Sequence, residues 1–427
     1  MRSAPAGIPL WLRYDAGMST APLSVPVTGT LRQDVRLISL IGIAHMMSHY
    51  SQLMLAPLFP WLKDAFAVSY AELGFLMTIF FTVSCVVQTA SGFWVDRMGP
   101  RPVLLAGLVL LALSAFGFAL SASYGWLMVC AVLAGTGNGV FHPVDYTLIN
   151  KQVSAPRLGH AYSAHGISGT LGWAVAPVML VPLAVAYSWR VALGAAGVLI
   201  TIVLLLVWFN RHLMLVPMGS EARRSPQPEG VLPDSSFGFL RIPAVWMCFT
   251  FFFIFAMSLS VIQAFAPGAA RELHQVPVTL VAVCLTTYML ASASGMVLGG
   301  FLATNPERAA RVVGAGFAVA ASVSLVLGLA ALSAWWVPVF FGVMGFVAGT
   351  AGPSRDLLVK LATPDNASGR VFGVVYSGLD IGQAVSPLMF GVMMDQHNYQ
   401  GIFLGLAAIQ GVLVFTAFKV RHARRTI

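Results

Sequence analysis

Twelve apolar runs, each long enough to cross a lipid bilayer as a helix, constrain this chain more than any other feature. They fall near 36–58, 70–95, 102–122, 124–149, 160–184, 187–209, 244–267, 278–302, 309–332, 334–358, 368–393 and 399–419. A spanning helix needs about 20 apolar residues, and these runs are too long and continuous for buried strands. Backbone in hydrocarbon must also satisfy its own hydrogen bonds, which a helix does and an open sheet edge does not. Composition agrees: charged residues make up 9% of the 427 and hydrophobic types 58%, where soluble domains carry about 25% charge. The expectation is an all-α polytopic membrane protein of twelve transmembrane helices.

The longest hydrophilic stretch follows the sixth run and holds Arg211, Glu221, Arg223, Arg224, Glu229 and Asp234. The chain therefore divides into a disordered N-terminal tail (1–35), a six-helix bundle (36–209), a connecting loop (210–243), a second six-helix bundle (244–420) and a basic C-terminal tail (421–427). The net charge of +9 could suggest nucleic acid, but its distribution points elsewhere. With the N-terminus in the cytoplasm, all Lys and Arg but Lys63, Arg190, Arg271 and the intra-span Arg355 fall on the tails and the even-numbered loops. That asymmetry is the positive-inside pattern. It places both termini in the cytoplasm, the chain in a bacterial inner membrane, and removes any need for a nucleic-acid partner. Cys85, Cys130, Cys248 and Cys284 all lie in apolar runs without a CxxC pair and read as small apolar filler.

Sliding the chain on itself by 210 residues pairs Met47 with Met257, Pro57 with Pro267, Gly135 with Gly345, Gly139 with Gly349, Pro143 with Pro353, Gly172 with Gly382 and Pro177 with Pro387. One offset aligns spans 1, 4 and 5 with spans 7, 10 and 11. An even number of helices separates the copies, so the repeats are parallel, an arrangement of transporters.

The segment after span 2 reads Gly92-Phe-Trp-Val-Asp96-Arg97-Met-Gly99-Pro-Arg101. It resembles the signature of the major facilitator superfamily, glycine–x–x–x–Asp–Arg–x–Gly–x–Arg/Lys, in the loop between the second and third helices. The resemblance implies that fold, with spans 1, 4, 7 and 10 lining a central cavity and with Gly92, Asp96, Arg97, Gly99 and Arg101 forming a cytoplasmic gate motif. The counterpart in the second half, Gly299 to Arg308, lacks the aspartate. A narrower set of residues, His45 in Ala-His-Met-Met-Ser-His and Val140-Phe141-His142-Pro143 after Gly-Thr-Gly, is similar to fosmidomycin-resistance-type efflux proteins. That family carries an acidic residue at the position of His49, and another directly after its His-Pro, where this chain has Val144 followed by Asp145.

An ionisable group near the bilayer centre costs about 2.5–3.5 kcal/mol on insertion scales, so each one inside a span is a candidate site. Span 1 carries His45 and His49, one helical turn apart. Span 4 carries His142 and Asp145, span 5 His165, span 10 Arg355 and Asp356, and span 11 Asp380, while Gln263 ends span 7. These nine are the expected substrate and proton pathway. Asp145 and Arg355 share a repeat position and invite a salt bridge that forms in one state and opens in another, or an arginine that binds an anionic substrate and loosens from Asp145. The histidines suit proton transfer, interhelical hydrogen bonding, or, with Asp145, ligation of a transition metal. Methionines such as Met46, Met47 and Met54 read as packing residues, and His160 as a solvated group at the cytoplasmic mouth.

No Walker sequence, strand-borne GxGxxG or nucleophile elbow occurs, so neither ATP-driven transport nor an enzyme is expected. The expected function is proton-coupled secondary transport of a small anionic or drug-like organic molecule by alternating access, without a cofactor and as a monomer in the bilayer. The alternatives are a transition-metal permease using His45, His49, His142 and Asp145, or a non-transporting membrane sensor of the same fold.

Overall fold

The computed structural model describes residues 30–216, 243–302, 306–362 and 368–423. The expected N-terminal tail up to residue 29, the loop residues 217–242 and the last four residues lie outside the described residues. The first bundle comprises α1 (Leu31–Gln52), α2 (Phe59–Phe66), α3 (Tyr70–Met98), α4 (Pro100–Ala119), α5 (Tyr124–Asn138), α6 (Phe141–Gln152), α7 (Leu158–Ala186) and α8 (Trp189–Phe209). The second comprises α9 (Pro243–Ala264), α10 (Ala266–His274), α11 (Val278–Leu302), α12 (Pro306–Leu329), α13 (Val337–Ala362), α14 (Ser368–Asp395) and α15 (Tyr399–Ala423).

Ten of the crossings are long and apolar enough to span a bilayer by length and composition alone, with α5 and α6 counted as one. The other two, α1 and α14, complete the twelve; each dilutes its apolar surface with polar groups, His45 and His49 in α1 and Asp380 and Gln383 in α14. The face where α1 begins and α15 ends is termed here the terminal face, the other the distal face. Exposed aromatics ring both: Phe93, Trp94, Trp208 and Trp246 near the terminal face, and Trp126, Tyr187, Trp335 and Trp336 near the distal face. Such belts mark the two membrane–water interfaces.

Helix starts follow local rules. Thr30 with Gln33 and Ser69 with Glu72 form capping boxes for α1 and α3. Gly99, at φ 82°, makes the sharp turn from α3 into α4. Two boundaries differ from expectation. The first crossing is interrupted after Gln52, passes through a 3-10 turn and resumes as α2, which ends with Phe66 against Trp189 at the distal face. The fourth crossing breaks between Asn138 and Phe141. Pro143 cannot donate to the carbonyl of Gly139 and its ring crowds that carbonyl, so the helix resets there. The repeat-related Pro353 sits inside the unbroken α13.

The repeat is visible in the packing. A Cβ on Gly135 or Gly139 of α5 would collide with the carbonyls of Phe80 and Ser84 on α3. The repeat mates Gly345 and Gly349 of α13 are pressed in the same way onto the carbonyls of Tyr288 and Ser292 on α11. Small residues there let the backbones touch, a packing mode typical of membrane helices.

The bundles meet along two seams, α3 with α14 and α7 with α11. At the distal face the first seam is clamped. Thr78 Oγ1 donates to the Ala384 carbonyl at 2.6 Å, and the backbone N–H groups of Tyr70 and Ala71 donate to the Asp395 carboxylate at 2.7 and 2.9 Å. Lys63 Nζ stands 3.7 Å from the same carboxylate.

Candidate functional site

Three helices of the first bundle bring His45, His49, His142, Asp145 and His165 into one cluster. The one-turn spacing on α1 points His45 and His49 at α7, which makes room with glycine: a Cβ on Gly169 would lie 2.7 Å from His49 Cε1 and 3.1 Å from His45 Nε2. The restart after Pro143 presents Asp145 to the same space, and α7 supplies His165.

Asp145 is the hub, fully buried beside His45 and His165, which are 1% and 5% exposed. His165 Nε2 donates to Asp145 Oδ2 at 3.1 Å. His45 Nδ1 stands 2.9 Å from the same oxygen, off the line a hydrogen bond requires. The His45 and His165 rings stack with centroids 3.6 Å apart. His49 and His142 lie beside them, with centroids 4.5 and 5.3 Å from that of His45. His142 Nδ1 donates to Gln88 Oε1 of α3 at 3.1 Å, which leaves Nε2 as the ring's acceptor. His49 packs on Trp173 at 4.3 Å, and Tyr146 on His165 at 5.3 Å.

A buried ionised carboxylate is tolerated only when paired and hydrogen-bonded, and Asp145 has imidazoles on one oxygen only. Its Oδ1, with Nδ1 of His49, has no hydrogen-bond partner. The arrangement can hold a proton at several neighbouring positions and pass it among them.

A second polar network borders the cluster, and sequence reasoning missed it. Trp173 Nε1 donates to Gln52 Oε1 at 2.9 Å, and Gln52 Nε2 donates to Asn138 Oδ1 at 3.3 Å. Asn138 Oδ1 also accepts from Ser48 at 2.6 Å, and its Nδ2 donates to Ser84 Oγ at 2.8 Å. The available signal was the stripe Ser48, His49 and Gln52, which continues the histidine face of α1.

The remaining pathway residues lie elsewhere. Arg355 sits over the rings of Phe252 and Phe255 on α9, at 4.9 and 4.6 Å from their centroids. In this conformation Asp145 is enclosed by His45 and His165 of its own bundle and forms no salt bridge with Arg355. Asp380 is half-buried on α14, facing Cys85 of α3 across the seam. Gln263 is 2% exposed and lines a small distal cavity with Trp61, Tyr70 and Arg271. Asp356 falls in α13, with its side chain outside the described residues.

In the gate motif, Gly92 has open space around it, and Asp96 and Arg97 are exposed at the terminal face. Arg101 is half-buried, and His160 is exposed. The cysteines are free, with Cys130, Cys248 and Cys284 buried. Met47 and Met54 are core residues with no exposure.

The profile of the Major Facilitator Superfamily matches residues 41–343 and, in a second alignment, 249–426. The chain belongs to this superfamily. The fosmidomycin resistance protein of Escherichia coli (strain K12) is 25% identical over 400 residues, covering 88% of this chain and 90% of that one. The probable L-galactonate transporter of the same organism is 20% identical over 430 residues, covering 95% and 94%. Among solved structures, a bacterial homologue of the human lysosomal transporter Spinster, in an inward-facing and occupied conformation, superposes with a TM-score of 0.72. It shares 15% identity over 93% of this chain and 98% of that chain, a likeness of fold. This chain is thus an integral membrane transporter of the superfamily, with the two-bundle fold its repeat predicts.

Proposed function

We propose that the chain is a proton-coupled secondary transporter of a small organic anion, working by alternating access between its two bundles. The observation that carries this reading is the Asp145 carboxylate, fully buried and held by imidazoles of α1 and α7. A carboxylate so enclosed changes charge only by taking up or giving up a proton, and that change alters the balance among α1, α6 and α7. A ligand or proton shifts a conformational equilibrium only by binding the two states unequally, and a buried titratable hub does so.

Arg355 supplies the complementary charge in the second bundle. Its guanidinium, seated on two phenylalanine rings, is the group that would hold a carboxylate or phosphonate. Two relatives support an anionic organic solute by their names, which cite a phosphonate antibiotic and a sugar acid. The resistance protein favours export. The distribution of basic residues favours a cytoplasmic terminal face in a bacterial inner membrane, and on that reading the clamp at Asp395 closes the outer side. The protein works as a monomer, since each chain encloses its own pathway.

The test is flux in proteoliposomes carrying an imposed pH gradient, with fosmidomycin, L-galactonate and other small carboxylates and phosphonates as solutes. The reading requires movement of at least one anion that stops when a protonophore collapses the gradient. Flux that ignores the protonophore would refute proton coupling, and flux of cations alone would refute the anion assignment.

A further inference from the structure

Proton transfer needs one or two titratable groups, whereas this cluster gathers four imidazoles around a carboxylate. His45, Asp145 and His165 each present one donor atom, and the three lie within 4.8 Å of one another; the same holds for His45, His49 and His142. Nδ1 of His45, Nδ1 of His49 and Oδ1 of Asp145 are buried without a hydrogen-bond partner. Buried polar atoms are nearly always satisfied, so three unsatisfied donor atoms in one place call for a ligand.

We propose that the cluster is a binding site for one divalent first-row transition-metal ion, held by His45, Asp145 and His165 and completed by His49 or His142. Metal bonds of about 2.0–2.1 Å space the donors of a tetrahedral site about 3.4 Å apart. Asp145 Oδ2 already stands 2.9 Å from His45 Nδ1 and 3.1 Å from His165 Nε2; because an imidazole holds a metal in its ring plane, one of the two stacked rings turns out of the stack to complete the site. Two imidazoles with one carboxylate suit zinc, cobalt, nickel or ferrous iron, while calcium and magnesium demand oxygen shells. No cysteine belongs to the group, which disfavours a thiolate-seeking ion.

The surroundings fit as well. Gln88 accepts from His142 Nδ1, fixing the tautomer that leaves Nε2 open, as outer partners of metal-binding histidines do. Asp145 supplies one negative charge, so the loaded site carries a single positive charge, the same net charge as two protonated imidazoles beside that carboxylate. The site shares Asp145 with the proposed proton pathway, so metal and proton compete for that carboxylate; the proposal itself rests on donor geometry.

The experiment is a titration of the purified full chain in detergent, with any affinity tag removed, by Co2+ followed through its visible d–d absorption. The expected result is binding of one equivalent, displaced by Zn2+ and unaffected by Mg2+. His45→Ala and Asp145→Asn should each weaken it at least tenfold, while the exposed His160→Ala and His397→Ala leave it unchanged. Size-exclusion profiles and thermal melts confirm folding, and His165→Gln replaces any variant that does not fold. Failure of the wild type to bind Co2+, or an unchanged affinity in the cluster variants, would overturn the proposal. Because the readout is binding rather than flux, either result leaves the transport reading to be judged separately.

Discussion

Asp395, the last residue of α14, accepts a hydrogen bond from the backbone N–H of Tyr70, the first residue of α3 in the other bundle, at 2.7 Å. A carboxylate at a helix N-terminus satisfies orphan donors and meets the positive end of the helix dipole. Here cap and helix belong to opposite bundles, so the contact exists only while the distal face is closed.

Asp395→Ala should therefore favour opening of that face. Loss of a cap costs about 0.5–2 kcal/mol, a shift of roughly 2- to 30-fold in the closed-to-open ratio. Spin labels at Asp64→Cys and Gln396→Cys, both exposed distal positions, would report it in a background lacking the four native cysteines. The longer of the two label separations should gain population. An unchanged distance distribution would show that the cap does not hold the gate.

Gly169 and Gly166 lie one turn apart on α7 and should respond oppositely to alanine. At Gly169 the added methyl meets both histidine rings, at 2.7 and 3.1 Å, whereas at Gly166 its nearest neighbour is Met296 Cε at 4.0 Å. Overpacking costs about 1–3 kcal/mol, while replacing a helical glycine gains up to about 1 kcal/mol. Thermal unfolding should show Gly169→Ala destabilised and Gly166→Ala at or above the wild type. Equal melting temperatures would mean that the histidine rings are not packed against α7.

Much of this was legible in the sequence. Ionisable residues inside apolar runs singled out His45, His49, His142, Asp145 and His165, because lipid leaves such groups few places to go. The constant offset foretold two bundles, and the glycine contacts of α5 and α13 repeat accordingly. The pairing of Asp145 with Arg355 is absent from this conformation: Pro143 breaks one helix and Pro353 leaves the other intact, so equal repeat positions do not present equal faces here. Asn138, Gln52 and Gln88 escaped notice because amides and hydroxyls are common in helices, and their meeting depends on how α1, α3, α5 and α7 pack. Asp395 escaped because its partner lies 325 residues away in sequence.

Asp34 provides a pH-dependent tie at the terminal face. It is 2% exposed and accepts from the hydroxyl and backbone N–H of Ser154 and from Arg157 Nε at 2.7 Å. Burial by itself pushes its carboxyl up, but the hydrogen bonds from Ser154 and Arg157 outweigh that and hold it below the usual carboxylate range. A depressed folded-state pKa contributes stability above the unfolded value of about 3.9, lost as pH falls through the folded value. Arg157→Ala should cost about 1.5–3 kcal/mol at neutral pH. Asp34→Asn should lose less melting temperature than the wild type on acidification below about pH 4. Parallel acid profiles for the two proteins would contradict the tie.

Arg355→Ala should weaken binding of a transported anion about tenfold or more, in keeping with about 1.5–3 kcal/mol for a hydrogen bond to a charged group. Arg355→Lys should recover only part, since lysine keeps the charge but loses the planar stack on Phe252 and Phe255. Equilibrium binding to detergent-solubilised protein measures this directly. Undiminished binding in Arg355→Ala would place the anion elsewhere.

The central claim is that Asp145 carries the coupled proton. Solid-supported-membrane electrophysiology on reconstituted protein tests it by recording the current evoked by a transported anion with and without an imposed pH gradient. The account predicts that Asp145→Asn, which keeps the shape of the side chain but fixes its charge, still binds the anion and gives no current that responds to the pH gradient. A gradient-driven current of wild-type size in Asp145→Asn would contradict it.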